Sequence, residues 1–155
     1  MPVLEFLDPE SVVPALRARA KKQVLQDLAT QAARRLPALG ERAVFDTLLQ
    51  RERLGSTGIG DGVAIPHGKL PGLDRLFGLF ARFDRPVDFE SLDGQPVDIA
   101  FLLLAPEGAG ADHLKALAQV ARLLREPGML THIRAARDAG ALYALLTRST
   151  APQAA

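Results

Sequence analysis

Three histidines, His67, His113 and His132, are the side chains of this sequence whose ordinary pKa lies near neutrality, and there is no cysteine. His67 has the most unusual setting. It follows Pro66 at the end of the apolar stretch Val63-Ala64-Ile65 and precedes Gly68. Proline fixes its own φ and keeps the residue before it extended, so the chain direction at His67 is set. Gly68 is expected to leave room beside the ring. An imidazole presented in this way at a strand end, with an ordinary pKa of about 6.5, is a competent neutral nucleophile. The plainer alternative is a histidine that ends a strand and bonds a backbone carbonyl.

Just upstream lies a glycine-rich loop with Gly55, Gly58, Gly60 and Gly62. It does not read as a nucleotide loop. A dinucleotide fingerprint follows a strand and opens a helix, whereas this loop follows a helical pattern and opens a strand, and no Gly-Lys-Ser/Thr is present. Its backbone N–H groups, with Ser56 and Thr57, are instead candidates for an anion-binding nest near His67. His113 sits in the expected first turn of a helix, where orphan N–H groups favour an anion. His132, between Thr131 and Ile133, reads as a solvated surface residue. Neither HExxH nor HxH spacing occurs, so a metal site is not expected.

The elements that must position these residues follow from periodicity. Residues 1–20 carry Pro2, Pro9 and Pro14 and suit an extended entry with an edge strand around Val12-Val13. Val24, Leu25, Leu28, Ala32 and Leu36 recur at helical spacing, with Pro37 and Gly40 ending the run. A second helix is expected over residues 41–53, with Val44, Phe45, Leu48 and Leu49 inward. Strands follow at 63–65, 76–83 and 97–104; Asp84-Arg85-Pro86 closes the second, and the third is apolar enough to be buried on both faces. Asp112 is placed to cap a helix carrying Leu114, Leu117, Ala118, Ala121 and Leu124. Helices over 129–138 and 139–148 complete the pattern. The expected fold is α/β: one sandwich domain over residues 1–150, with a small mixed sheet flanked by helices and a flexible tail at 151–155.

Composition narrows the function classes. Of 155 residues, 48% are apolar and 24% charged, so a folded core is expected rather than disorder. The 19 basic and 18 acidic residues leave a net charge of +1, which argues against a nucleic-acid binder held by bulk charge. The longest apolar run, at 99–105, is far short of the ~20 residues that span a bilayer. The N-terminus lacks a basic region followed by a long apolar stretch. Neither membrane insertion nor secretion is expected, and the cytoplasm is the natural compartment.

Residues 51–69, Arg-Glu-Arg-Leu-Gly-Ser-Thr-Gly-Ile-Gly-Asp-Gly-Val-Ala-Ile-Pro-His-Gly-Lys, closely resemble the active-site segment of phosphotransferase-system enzyme IIA domains of the mannitol/fructose class. The resemblance is strongest to their nitrogen-regulatory branch, and it extends through Gln95-Pro96-Val97-Asp98 and the Asp112-His113-Leu114 helix start. It implies that His67 takes the phosphoryl group, that Arg51 is the arginine beside the phosphohistidine, and that His113 is the second active-site histidine. Asp61 stands where some relatives have asparagine, and Leu54 where they have methionine. Fixed charge from Arg51, a hydrogen bond from His113 and backbone N–H groups of the Ser56, Thr57 and Gly58 turn would then receive the phosphoryl oxygens. No metal, nucleotide or other cofactor is needed, because the implied donor is a phosphohistidine on a small HPr-like carrier protein. The absence of a permease domain before residue 155 and the Gly68-Lys69 pair lead to an expectation of regulation, with transporters or sensor kinases as partners. The alternative is a IIA component of a fructose/mannitol-type importer that passes phosphate to a IIB subunit.

Overall fold

A computed structural model describes residues 3–148 of the chain. A short 3-10 turn (Val3–Glu5) leads into β1 (Leu7–Leu16), followed by α1 (Lys21–Arg35) and α2 (Glu41–Arg53). Then come β2 (Gly58–Gly60), β3 (Val63–Ala64), β4 (His67–Leu70), β5 (Phe77–Val87) and β6 (Val97–Pro106). Three helices close the chain: α3 (Ala111–Leu124), α4 (Met129–Ala135) and α5 (Ala139–Arg148). The tail expected at 151–155 lies outside the described residues.

The six strands form one mixed sheet in the order β1-β5-β6-β3-β2, with β4 also paired to β6. β6 is its axis, and every residue from Val97 to Ala105 except Asp98 is buried. Alternation along β6 assigns its side chains to two cores. Ala100, Leu102 and Leu104 join the core under α1 and α2, while Ile99, Phe101 and Leu103 join the one under α3, α4 and α5. The result is the expected α/β sandwich, with helices on both faces of a mixed sheet. α1 shows why the helices hold: Val24, Leu25, Leu28, Ala29 and Ala32 are all fully buried, and each such leucine or valine contributes roughly 1.5–3 kcal/mol of transfer free energy.

Most sequence expectations stand, and four elements differ in their bounds or caps. β1 is ten residues long, because both prolines are tolerated on a strand that pairs only with β5. β5 runs on past Asp84-Arg85-Pro86 to Val87, crossing an irregularity in its pairing with β6. α3 begins at Ala111 with Gly110 as its N-cap, so Asp112 lies inside the first turn and makes no capping bond. α4 stops at Ala135, short of Asp138.

The correction that matters most concerns the strand at the histidine. β3 and β4 lie parallel along the same edge of β6, Val63 opposite Ile99 and His67 opposite Leu103. Ile65 and Pro66 interrupt the ladder between them. Pro66 has no N–H to give, although its carbonyl accepts from Leu103 at 3.0 Å. Ile65 turns its N–H away to Thr57 O, also at 3.0 Å. His67 therefore opens a new strand rather than ending one.

Gly68 is corrected as well. Its missing side chain does not clear space beside the ring: a Cβ there would run into Cγ2 of Thr47 on α2. The glycine lets α2 approach β4, and so brings the C-terminal turn of α2 to the histidine. Gly68→Ala should therefore cost about 1–3 kcal/mol of stability through overpacking. Thr47→Ser in the same chain, which removes Cγ2, should recover most of the loss in a urea-unfolding double-mutant cycle. Additive losses in that cycle would exclude this contact as the reason for glycine.

Candidate functional site

His67 stands at the first residue of β4, half-buried, beside the carbonyl of Ile65, which faces away from β6. Its Nδ1 lies 2.8 Å from the carbonyl oxygen of Ile65. A carbonyl only accepts, so Nδ1 carries the proton and Nε2 keeps its lone pair. The ring thus bonds a backbone carbonyl, and that bond leaves the lone pair on the other nitrogen.

Nε2 faces Arg51 in the last turn of α2, whose Nε donates to it at 3.3 Å. The same guanidinium is anchored by Nη1, which donates to Gly55 O at 2.9 Å. From the opposite face of the sheet, the first turn of α3 supplies His113. The two imidazoles meet edge to face, with centroids 5.6 Å apart and planes at 66°. His113 is only 6% exposed, and its Nε2 is buried without a hydrogen-bond partner among the described residues. A buried polar atom left in this state costs about 1–3 kcal/mol. His132 is exposed on α4 and takes no part.

The Ser56, Thr57 and Gly58 turn is close-knit in this structure. Thr57 is buried and donates twice to Glu52, from its N–H to Oε2 at 3.0 Å and from Oγ1 to Oε1 at 2.6 Å. Gly58 N–H donates to Ser56 Oγ at 3.0 Å, and that hydroxyl donates to Phe89 O at 2.9 Å. The N–H groups of Thr57 and Gly58 and both hydroxyls, read from the sequence as parts of an anion nest, are thus engaged within the protein. Glu52 is itself 6% exposed and also receives Lys21 Nζ of α1 at 2.8 Å. Sequence reading passed over Glu52. Its signal was its position, one turn beyond Leu48 on the buried face of α2, where a carboxylate needs partners.

A second clamp holds the far end of the glycine loop. Arg134 of α4 bonds both oxygens of Asp98 at 2.9 Å and the carbonyl of Asp61 at 2.7 Å. Gly62 sits under it with φ of +81°, and a Cβ there would lie 2.6 Å from the Arg134 guanidinium.

Both site histidines are held below the ordinary value of 6.5. For His67 the main cause is burial, and the charge of Arg51 adds to it, against the raising effects of the Ile65 carbonyl and the Glu52 carboxylate. For His113 burial again leads, followed by His67 and Lys69. Both rings are therefore neutral at pH 7, the form in which Nε2 of His67 has a lone pair to give.

Among the described residues no helix is long and apolar enough to cross a membrane, and no group of three or more His, Asp or Glu side chains could hold a metal ion.

Comparison with known proteins gives the class of this protein as a phosphocarrier of the phosphotransferase system. The chain belongs to the family described as phosphoenolpyruvate-dependent sugar phosphotransferase system, EIIA 2, whose profile matches residues 5–149. Two of its relatives carry the name nitrogen regulatory protein. The one from Bradyrhizobium diazoefficiens is 63% identical over 146 residues, covering 94% of this chain and 95% of that protein. The one from Pseudomonas aeruginosa is 40% identical over 142 residues, covering 92% of each. The crystal structure of nitrogen regulatory protein IIA-Ntr from Neisseria meningitidis superposes with a TM-score of 0.87 at 34% identity, over 94% of this chain and 99% of that one.

The lowered histidine pKa values make stability depend on pH. Between the folded and unfolded pKa values the unfolded chain binds protons that the folded chain refuses, so stability is full above 6.5 and falls as the pH drops below it. Urea unfolding at about pH 8 and about pH 5 should show this loss. His113→Phe should shrink it while holding or raising stability at the higher pH, since it removes both the titration and the unpaired nitrogen. A loss of unchanged size would place the acid sensitivity elsewhere.

Proposed function

We propose that this chain is a nitrogen-regulatory phosphocarrier, which accepts a phosphoryl group on Nε2 of His67 and controls partner proteins by its phosphorylation state. The observation that carries the reading is the ring's orientation: Nδ1–H is tied to Ile65 O, and Nε2 is directed at Arg51. Nε2 attacks phosphorus as the donor's P–N bond breaks, and the donor nitrogen leaves with the electron pair of that bond. The Nδ1 proton stays on the ring, where the Ile65 carbonyl stabilises the positive charge that develops.

Arg51 neutralises the equatorial oxygens, and the unpaired Nε2 of His113 supplies a further donor to an arriving phosphoryl group. Neither would hold phosphate covalently. The N-terminal turn of α3 adds its partial positive charge. The network around Ser56, Thr57 and Gly58 favours a supporting role for these residues, shaping the phosphate site; a direct bond to phosphate would require their present hydrogen bonds to open.

The donor is a small HPr-like protein charged by an enzyme I-type kinase from phosphoenolpyruvate. Regulated transporters or sensor kinases are the downstream partners. Leu54, beyond Arg51 at the end of α2, and Leu114, next to His113, are 84% and 68% exposed. Apolar side chains so placed suit a protein docking over the histidine. Phosphorylation adds about −1.5 to −2 charges there, which a docked partner distinguishes. The names of the relatives support the regulatory role. The description of the family supports a second reading, a sugar-import component that passes phosphate to a IIB subunit, and transfer to such a subunit in vitro would favour it.

Incubation with phosphoenolpyruvate, enzyme I and the HPr-like donor should add one acid-labile, base-stable phosphoryl group, read by intact mass. His67→Ala should abolish it without unfolding the chain. Arg51→Lys should slow transfer by up to about 100-fold without ending it, because the charge stays while the planar fork is lost. Full labelling of the His67→Ala protein would refute the assignment.

A further inference from the structure

Glu52 neighbours Arg51 in sequence, and its buried carboxylate, besides the charge it sets near His67, bonds Thr57 and Lys21. What it holds leads back to His67 by a short path. Its two oxygens take both donors of Thr57, and Lys21 neutralises it from α1. The carbonyl of Thr57 in turn receives Ile65 N–H at 3.0 Å. Ile65 then gives its own carbonyl to His67 Nδ1 at 2.8 Å. Pro66 keeps Ile65 extended, so the angle between the N–H and the carbonyl of that residue is nearly fixed. Moving Thr57 therefore turns the carbonyl that holds the ring proton.

We infer that Glu52 is a positioning residue for the phosphoryl acceptor: through Thr57 and Ile65 it keeps the proton on Nδ1 of His67 and the lone pair on Nε2. The inference rests on the reading that His67 accepts phosphate. Without the carboxylate, Thr57 loses the acceptor for two donors, and the Ile65 carbonyl is released from its fixed direction. The Nε2–H tautomer then becomes accessible. In that form the nitrogen facing Arg51 has no lone pair for phosphorus, and the free pair on Nδ1 faces a carbonyl.

The test reads the tautomer directly. Ring-nitrogen NMR of the full chain at about pH 8, where His67 is neutral, should show the Nδ1–H form for the native protein. Glu52→Gln keeps the shape but loses the charge and one acceptor. It should show a several-fold rise in the Nε2–H form, and transfer from the HPr-like donor should slow by about 10- to 100-fold with the phosphate still on His67. Thr57→Val, which removes only the hydroxyl donor, should move both readouts the same way by less, and it decides the matter if Glu52→Gln does not fold. A folded Glu52→Gln protein with native ring signals overturns the inference, whatever its melting temperature, since a merely structural carboxylate would change stability alone. A native protein that shows the Nδ1–H tautomer, moved by Glu52→Gln, yet takes no phosphate would sink the phosphocarrier reading and leave the positioning role standing.

Discussion

The hydrogen bond from Nδ1 of His67 to the carbonyl of Ile65 decides what the imidazole can do, and the surrounding structure is arranged to keep that carbonyl available. The carbonyls of Gly62 and Pro66 accept from β6, so Ile65, out of phase with them, points its N–H to Thr57 and its carbonyl off the other side of the strand. The ladder breaks because Pro66 has no N–H, and β3 and β4 resume on either side of the gap along the same edge. Facing away from β6, the Ile65 carbonyl is the acceptor that His67 Nδ1 reaches at 2.8 Å. β6 can carry such an interrupted neighbour because β5 pairs along its other edge and both its faces are packed.

The sheet also explains how distant residues meet. Arg51 arrives from the helix layer on one face and His113 from the layer on the other, so the histidine at the sheet edge is approached from both sides. Each approach depends on a specific accommodation. α2 reaches β4 because Gly68 carries no side chain against Thr47. α3 starts at Gly110, whose φ of +53° turns the loop after β6 into the helix.

Charge in the site is balanced between opposite demands. Burial and the charge of Arg51 disfavour the imidazolium, whereas the Ile65 carbonyl and Glu52 favour it, and the balance holds the ring below its ordinary pKa. The last turn of α2 divides this work between neighbouring residues, with Arg51 directed at the lone pair and Glu52 at the loop that orients the ring. Left without a partner, the buried Nε2 of His113 weakens the resting fold.

Local physics made much of this protein legible in the amino-acid sequence. Apolar spacing marked α1 and α2, and the second was bounded at Glu41 and Arg53 as found. The continuous apolar run marked β6 as the central strand, and the proline before His67 marked the chain direction there as constrained. Arg51 was reached through resemblance alone, and His113, marked by its place at a helix start, was tied to His67 only by resemblance, because nothing in their spacing shows that two faces of a sheet will bring them together. Gly68 was misread for the same reason: its neighbour, Thr47, comes from another element. The tautomer of His67 and the burial of Glu52 were decided only by the tertiary structure. Periodicity and proline act through bonds between adjacent residues and are written into the chain. Which carbonyl faces a ring nitrogen, and which partners a buried carboxylate finds, depend on helices packing across a sheet, and those distances exist only once the core has closed.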